Sequence, residues 1–242
     1  MAPMNPDMQP AIISAFDQTM TFPDVETAMD EPNGLLAVGG DLSPVRLLSA
    51  YQQGIFPWFS QDQPILWWSP DPRMVLFPEN FHVSRRLKKT IRQNKFQMTI
   101  NTAFENVMRA CAQPRPKQPE TWITPAMLRA YVELHRQGFA HSFETWNNGK
   151  LVGGLYGIAI GRAFFGESMF SFETDASKVA FAYSIEQLTK WGYEIIDCQV
   201  ESEHLSNFGA ENIKRSDFVR HLKRQTKLPV SSTAWKPVLK DE

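Results

Sequence analysis

His141-Ser-Phe-Glu-Thr-Trp146, Asn147-Asn-Gly149, Leu151-Val-Gly-Gly-Leu-Tyr-Gly-Ile-Ala-Ile160 and Ala163-Phe-Phe-Gly-Glu-Ser-Met-Phe170 decide how this chain folds. The first and third of these runs are joined by an Asn-Gly turn, the pattern of a β-hairpin. The fourth, after Gly161, continues it as an antiparallel meander. Asp175 to Trp191 is the longest helical pattern and stops at Gly192, and Tyr193 to Val200 then reads as a buried strand. A helix between two strands carries the second across to a new place in the sheet.

Working outward, Met74 to Phe77 and Phe96 to Ile100 also read as strands. Ser84 caps a short basic helix over Arg85 to Arg92. Thr102 with Glu105 three residues on is a capping box, opening a helix with Phe104, Val107, Met108 and Cys111 inward. Residues 113–120 form a Pro-rich loop. Thr124-Pro125 starts a helix with Met127, Leu128, Tyr131 and Leu134 on one face and Gly138 as its stop, and Ser216 to Arg224 is a last short helix. The order from Met74 is β-α-β-α-α-β-β-β-α-β-α, an α+β or mixed α/β arrangement.

Upstream, residues 1–33 read as irregular and Asn33-Gly34 as a turn. Ser43, Pro44, Leu47, Leu48, Tyr51 and Gly54 outline a short helix with its cap, stripe and stop. Ile55-Phe-Pro-Trp-Phe59 and Leu66-Trp-Trp-Ser-Pro-Asp-Pro-Arg73 read as aromatic loops. The Pro-rich tract predicts a boundary between a small N-terminal domain, residues 1–71, and a larger one, residues 72–242.

The balance of 25 Lys and Arg against 26 Asp and Glu excludes a globally basic nucleic-acid coat, so any such contact needs a local patch. With only Cys111 and Cys198, a disulfide scaffold and a Cys-rich metal site are excluded as well. No signal-peptide core or membrane-length apolar run is present, so the expected compartment is the cytoplasm, with no membrane partner.

Four groups of residues could carry chemistry. Asp197 and Gln199 share one face of an apolar strand, and a carboxylate beside an amide there needs hydrogen-bond partners. A buried polar network holding a loop is the equal alternative. Glu167 is a lone acid in an aromatic strand, where a structural ion pair competes with a catalytic role, and Gly166 beside it permits a close approach. Arg85, Arg86, Lys88, Lys89, Arg92 and Lys95 make a local positive field suited to phosphates, though such runs are commonly solvated faces. Among Tyr51, Trp58, Trp67, Trp68, Trp122 and Tyr131, the tryptophans at 58 and 122 lie in Pro-flanked loops, where a ring can stack a nucleobase or line an apolar pocket. For Trp67 and Trp68 the expectation is packing between domains.

Asn33-Gly-Leu-Leu-Ala-Val-Gly-Gly-Asp-Leu42, Gly54-Ile-Phe-Pro-Trp-Phe59, Trp67-Trp-Ser-Pro-Asp-Pro-Arg73, Thr121-Trp-Ile-Thr124, Gly166-Glu-Ser-Met-Phe-Ser171 and Ile196-Asp-Cys-Gln-Val200, in this order, resemble the leucyl/phenylalanyl-tRNA–protein transferase family. The resemblance runs from about Phe22 to about Arg224. It implies a small N-terminal domain and a larger acetyltransferase-like (GNAT) domain with a mixed sheet. It also implies a bacterial cytoplasmic enzyme that moves Leu or Phe, and less readily Met, from aminoacyl-tRNA to the N-terminal Arg or Lys of acceptor proteins in the N-degron pathway. No metal or coenzyme is implied. Carried over motif by motif, Asp197 and Gln199 are the catalytic pair, with Glu167 close by. Trp58 and Trp122 hold the terminal adenosine, with Tyr51 and Tyr131 nearby, and Leu155, Phe164, Met169 and Ile196 line the aminoacyl pocket. In a regular strand Ile196 points away from Asp197, so a bulge is needed for both to face one site.

The implied reaction is attack of a neutral α-amine on an ester, with Asp197 expected to take part of the amine's proton directly or through Gln199. An acyl-CoA acetyltransferase on the same fold would need a phosphate-cradling loop, and Phe170 to Asp175, before the long helix, is acidic and lacks glycine. An RNA-binding module would leave Asp197, Gln199 and Glu167 without a purpose.

Overall fold

A computed structural model describes residues 9–114 and 121–236; residues 115–120 of the Pro-rich loop lie outside it. The chain runs β1 (Ala11–Ile13), β2 (Leu35–Gly39), α1 (Pro44–Gln52), β3 (Phe56–Pro57), β4 (Leu66–Trp68), β5 (Arg73–Leu76), α2 (Arg85–Arg92), β6 (Gln97–Ile100), α3 (Phe104–Cys111) and α4 (Pro125–Arg136). It continues as β7 (Ala140–Asn147), β8 (Lys150–Ile160), β9 (Ala163–Ser171), α5 (Ala176–Lys190), β10 (Ile195–Gln199), α6 (Glu203–Ser206), β11 (Glu211–Ile213) and α7 (Arg215–Gln225).

Two sheets result. The first has the order β1-β2-β4-β3, and the second the order β11-β5-β10-β9-β8-β7-β6. In the larger sheet β9 and β10 are parallel, joined across α5, and the other neighbours are antiparallel. This is the α+β, mixed-sheet arrangement expected from the meander and its crossing helix. The β7–β8 turn uses Asn148 at φ +49° and Gly149 at φ +73°, left-handed positions that Asn and Gly tolerate. A continuous apolar cluster joins the sheets, including Leu36 and Trp67 from the first and Val75 and Phe165 from the second.

Several local expectations are corrected. Ala11–Ile13, read as irregular, pairs in parallel with β2. The second aromatic loop contains β4, in which Trp67 is fully buried and donates its Nε1–H to the Gly39 carbonyl at 2.9 Å. Elements α6 and β11 have no counterpart in the predicted order. The Thr102–Glu105 capping box does not form. Glu105 pairs with Arg109, and the N–H groups of Thr102 and Ala103 donate to the buried Glu144 carboxylate from β7, each at 3.4 Å. A carboxylate from across the fold thus meets the positive end of α3.

Candidate active site

Two bulges create the site. On β9, Gly166 pairs with Gly157 and Ser168 with Tyr156, so Glu167 is an extra residue without a partner on β8. On β10, Asp197 pairs with Val75 and Gln199 with Met74, so Cys198 is extra. The parallel pairing of β9 with β10 ends at Phe165 and Asp197. Beyond that point the two strands no longer pair, and a cavity of about 320 Å³ opens. Bulges re-aim side chains, and here they turn Glu167 and Gln199 towards each other. Gln199 sits at φ +66°, a strained conformation for a residue with a side chain.

Glu167 is held by three donors. Tyr51 Oη–H and Gln199 Nε2–H donate to its Oε1, each at 2.8 Å, and Tyr131 Oη–H donates to its Oε2 at 3.1 Å. The two tyrosine hydroxyls are also hydrogen-bonded to each other. Two phenols supply two hydrogens for three oxygen–oxygen contacts, and the third hydrogen is available when the carboxyl itself is protonated. Burial raises the Glu167 pKa to about 7 against the lowering effect of its donors. The group is therefore poised to exchange a proton near neutral pH.

Asp197 is differently placed. Arg73 Nε and Nη2 donate to its two oxygens at 2.8 and 2.7 Å, and both side chains are buried. The Arg73 guanidinium lies between the rings of Phe56 and Phe218, at 4.8 and 4.7 Å, and donates to the Gly54 carbonyl at 3.1 Å. Asp197 Oδ1 also accepts the backbone N–H of Gln199 at 2.9 Å. The carboxylate therefore fixes the bulged backbone from which Gln199 reaches Glu167.

Leu155, Phe164, Met169 and Ile196 line the cavity together with Phe181 and Ile185 of α5, and Trp58 and Trp122 join the lining. Trp58 is 45% exposed.

A family model described as leucyl/phenylalanyl-tRNA protein transferase matches residues 75–223, and that family's N-terminal domain model matches residues 40–71. The chain belongs to this family. Curated relatives named leucyl/phenylalanyl-tRNA–protein transferase include one from Nitrosomonas eutropha, 58% identical over 214 residues (88% of this chain and 92% of the relative). Another, from Pseudomonas syringae, is 56% identical over 214 residues, 88% of this chain and 93% of the relative. Among solved structures, a GCN5-related N-acetyltransferase from Kribbella flavida is similar over 70% of this chain and 60% of its own, with a TM-score of 0.35 and 11% identity.

This member of the transferase family brings most of its sequence-predicted site residues to one cavity. Asp197, Gln199, Glu167, Trp58, Trp122, Leu155, Phe164, Met169 and Ile196 all line it. Ile196 and Asp197 both reach the cavity although they keep regular register with Leu76 and Val75; the bulge lies beyond them, at Cys198. Tyr51 and Tyr131 depart from expectation: both are fully buried and offer no ring face to a nucleoside, and their hydroxyls serve Glu167 instead. Sequence reasoning missed Arg73 as a site residue, although it closes one of the quoted motifs; a buried acid implies a cation, but spacing alone does not say which. Gly166 lines the cavity, and a Cβ there would meet only the Asp197 carbonyl oxygen at 3.4 Å; the tightest backbone approach nearby is at Gly157, where a Cβ would lie 2.3 Å from the Phe165 carbonyl oxygen.

Arg85, Arg86, Lys88, Lys89 and Arg92 are exposed on α2, with Leu87 as its buried anchor. No ion pair is formed by these five cations among the described residues, whereas Lys95 pairs with Glu173 at 2.6 Å. Among the described residues no helix is long and apolar enough to cross a membrane.

Proposed function

We propose that this transferase moves Leu or Phe, and less readily Met, from aminoacyl-tRNA to the N-terminal Arg or Lys of acceptor proteins in the cytoplasm, marking them for degradation through the N-degron pathway. The observation that carries the reading is the apolar cavity closing on Glu167 and Gln199 where β9 and β10 part. A branched or aromatic side chain fits among Leu155, Phe164, Met169 and Ile196, and a charged one is rejected by the cost of losing its water. The terminal adenosine lies against Trp58 and Trp122 at the mouth, stacked in a manner common to every tRNA. Cations of α2 follow the phosphates of the tRNA body.

The acceptor's neutral α-amine attacks the ester carbonyl, the new C–N bond forms, and the bond to the ribose oxygen breaks. An α-amine has a reference pKa of about 7.7–8.0, so no strong base is required. Holding amine and ester together lowers the barrier by roughly 7–11 kcal/mol. Glu167 takes the amine's proton and returns it to the departing ribose oxygen. Unlike Asp197, which is paired with Arg73, Glu167 forms no ion pair among the described residues, so its charge once ionised also attracts a cationic acceptor. Asp197, with its oxygens committed to Arg73 and the Gln199 N–H, positions Gln199 rather than receiving the proton itself. The test is transfer of labelled Leu or Phe from charged tRNA to an Arg-initiated peptide. Ribonuclease-sensitive labelling is expected, and its absence with a folded protein overturns the reading.

A further inference from the structure

Trp235 lies on the tail beyond α7, outside the family match that ends at residue 223. Its ring, partly buried, nevertheless packs against the apolar cluster between the sheet and α5. It stacks on His141 at 3.7 Å and 6°, lies 4.7 Å from Trp191 and 5.6 Å from Phe143, and donates its Nε1–H to the Tyr193 hydroxyl at 2.8 Å. Its ring centroid is also 6.1 Å from that of Phe164, with the planes 27° apart. Phe164 is a wall of the cavity that meets Glu167, whereas Trp235 does not line that cavity. The tail is tied down on the way, since the Ser231 N–H donates to the Trp191 carbonyl at 2.9 Å and Arg162 Nε to the Pro229 carbonyl at 3.0 Å. Trp235 adopts φ +62°, a conformation that a bulky side chain keeps only where its surroundings dictate it.

We propose that Trp235 is a positioning residue for donor selection: by backing Phe164 it fixes the depth of the aminoacyl pocket. The inference rests on the reading of this cavity as the seat of the donor side chain. With Trp235 in place Phe164 cannot retreat, because an interior packed to crystal-like density leaves it no space. Truncating the indole opens room behind Phe164, and the pocket then accepts a larger group at less cost.

The experiment compares kcat and KM for Leu-tRNA and Phe-tRNA, with an Arg-initiated peptide as acceptor, in the unaltered protein, Trp235→Ala, Trp235→Phe and Tyr193→Phe. Trp235→Ala is expected to raise the Phe-to-Leu ratio of kcat/KM by roughly three- to tenfold, mainly through KM. Trp235→Phe should restore most of the original ratio. Tyr193→Phe, which removes only the partner of the indole N–H, should shift the ratio slightly in the same direction and keeps the test open if Trp235→Ala does not fold. An unchanged ratio in the folded variants, with the two rates falling together or not at all, makes Trp235 a core residue only and overturns the proposal. Failure of the unaltered protein to transfer either residue instead overturns the underlying reading of the cavity.

Discussion

Arg73 holds Asp197 through both carboxylate oxygens, at 2.8 and 2.7 Å, with the two side chains 1% and 2% exposed. A buried ion pair adds little net stability, but removing one member strands the other's charge at a cost of about 3–5 kcal/mol. Asp197→Ala should therefore lower the melting temperature by roughly 10 °C, given some 2–4 °C per kcal/mol for a chain of this size. The double variant Arg73→Met, Asp197→Leu should recover most of that loss, yet transfer should stay low, because the Gln199 N–H no longer has its acceptor. Thermal unfolding alongside peptide labelling checks both halves. Recovery of activity together with stability would remove Asp197 from the positioning of Gln199.

Glu167 governs the pH dependence. Its pKa stands at about 7, and the acceptor amine must also be neutral, with a reference value of about 7.7–8.0. Below both values, log kcat/KM for the peptide should climb with a slope near two, flattening to one once Glu167 has ionised. Glu167→Gln should react far more slowly and keep a slope of one throughout. A slope of one in the unaltered protein down to pH 5 would exclude Glu167 as the proton acceptor.

The same carboxyl should cost stability where it works. Below pH 4.5, the ordinary value for a glutamate, it is protonated in both folded and unfolded chains and contributes nothing. Between pH 4.5 and about 7 the folded chain retains a proton that the unfolded chain has released, so stability falls as pH rises. At about 1.4 kcal/mol per pKa unit, the full cost above pH 7 is roughly 3 kcal/mol. Glu167→Gln escapes it, so the variant's urea midpoint should pull ahead of the unaltered protein's between pH 5 and pH 8. Parallel midpoints across that range would contradict the raised pKa.

The meander β7 to β9, the helix α5 and the strand β10 are legible because alternation, an Asn-Gly turn and a Gly stop are local signals. The bulges at Glu167 and Cys198 are not, since each is defined by the strand opposite it. For the same reason the Glu144 cap of α3 escapes a reading that looks three residues ahead and finds Glu105. The three-residue strands β1 and β11 carry too few alternations to stand out. Tyr51 and Tyr131 are 80 positions apart, and their hydroxyls meet only when α1 and α4 pack against the sheet.

Helix α2 offers a separable contribution. Leu87 alone on it is buried, so replacing Arg85, Arg86, Lys88 and Lys89 with Gln should leave unfolding unchanged within about 1 kcal/mol. Each phosphate contact contributes about 0.9 to the slope of log affinity against log salt, so tRNA binding should weaken and that slope should fall by roughly two to four. Filter binding between 50 and 200 mM salt measures it. An identical slope would leave α2 a solvated face.

Trp58 is propped in place yet 45% exposed. Trp68 lies 5.8 Å from it at 58° and donates its Nε1–H to the Trp58 carbonyl at 2.7 Å, so the strand and neighbour orient the ring without covering it. Stacking of a base on an aromatic ring is worth about 1–3 kcal/mol. Trp58→Ala should raise KM for aminoacyl-tRNA by roughly ten- to a hundredfold with little change in kcat, since the lost contact is equal in the ground and transition states. Trp58→Phe should return much of the affinity. A puromycin-like aminoacyl-adenosine mimic should lose binding to the Ala variant by a similar factor, whereas an equal loss of kcat would mean that Trp58 shapes the reacting geometry instead of gripping the adenosine.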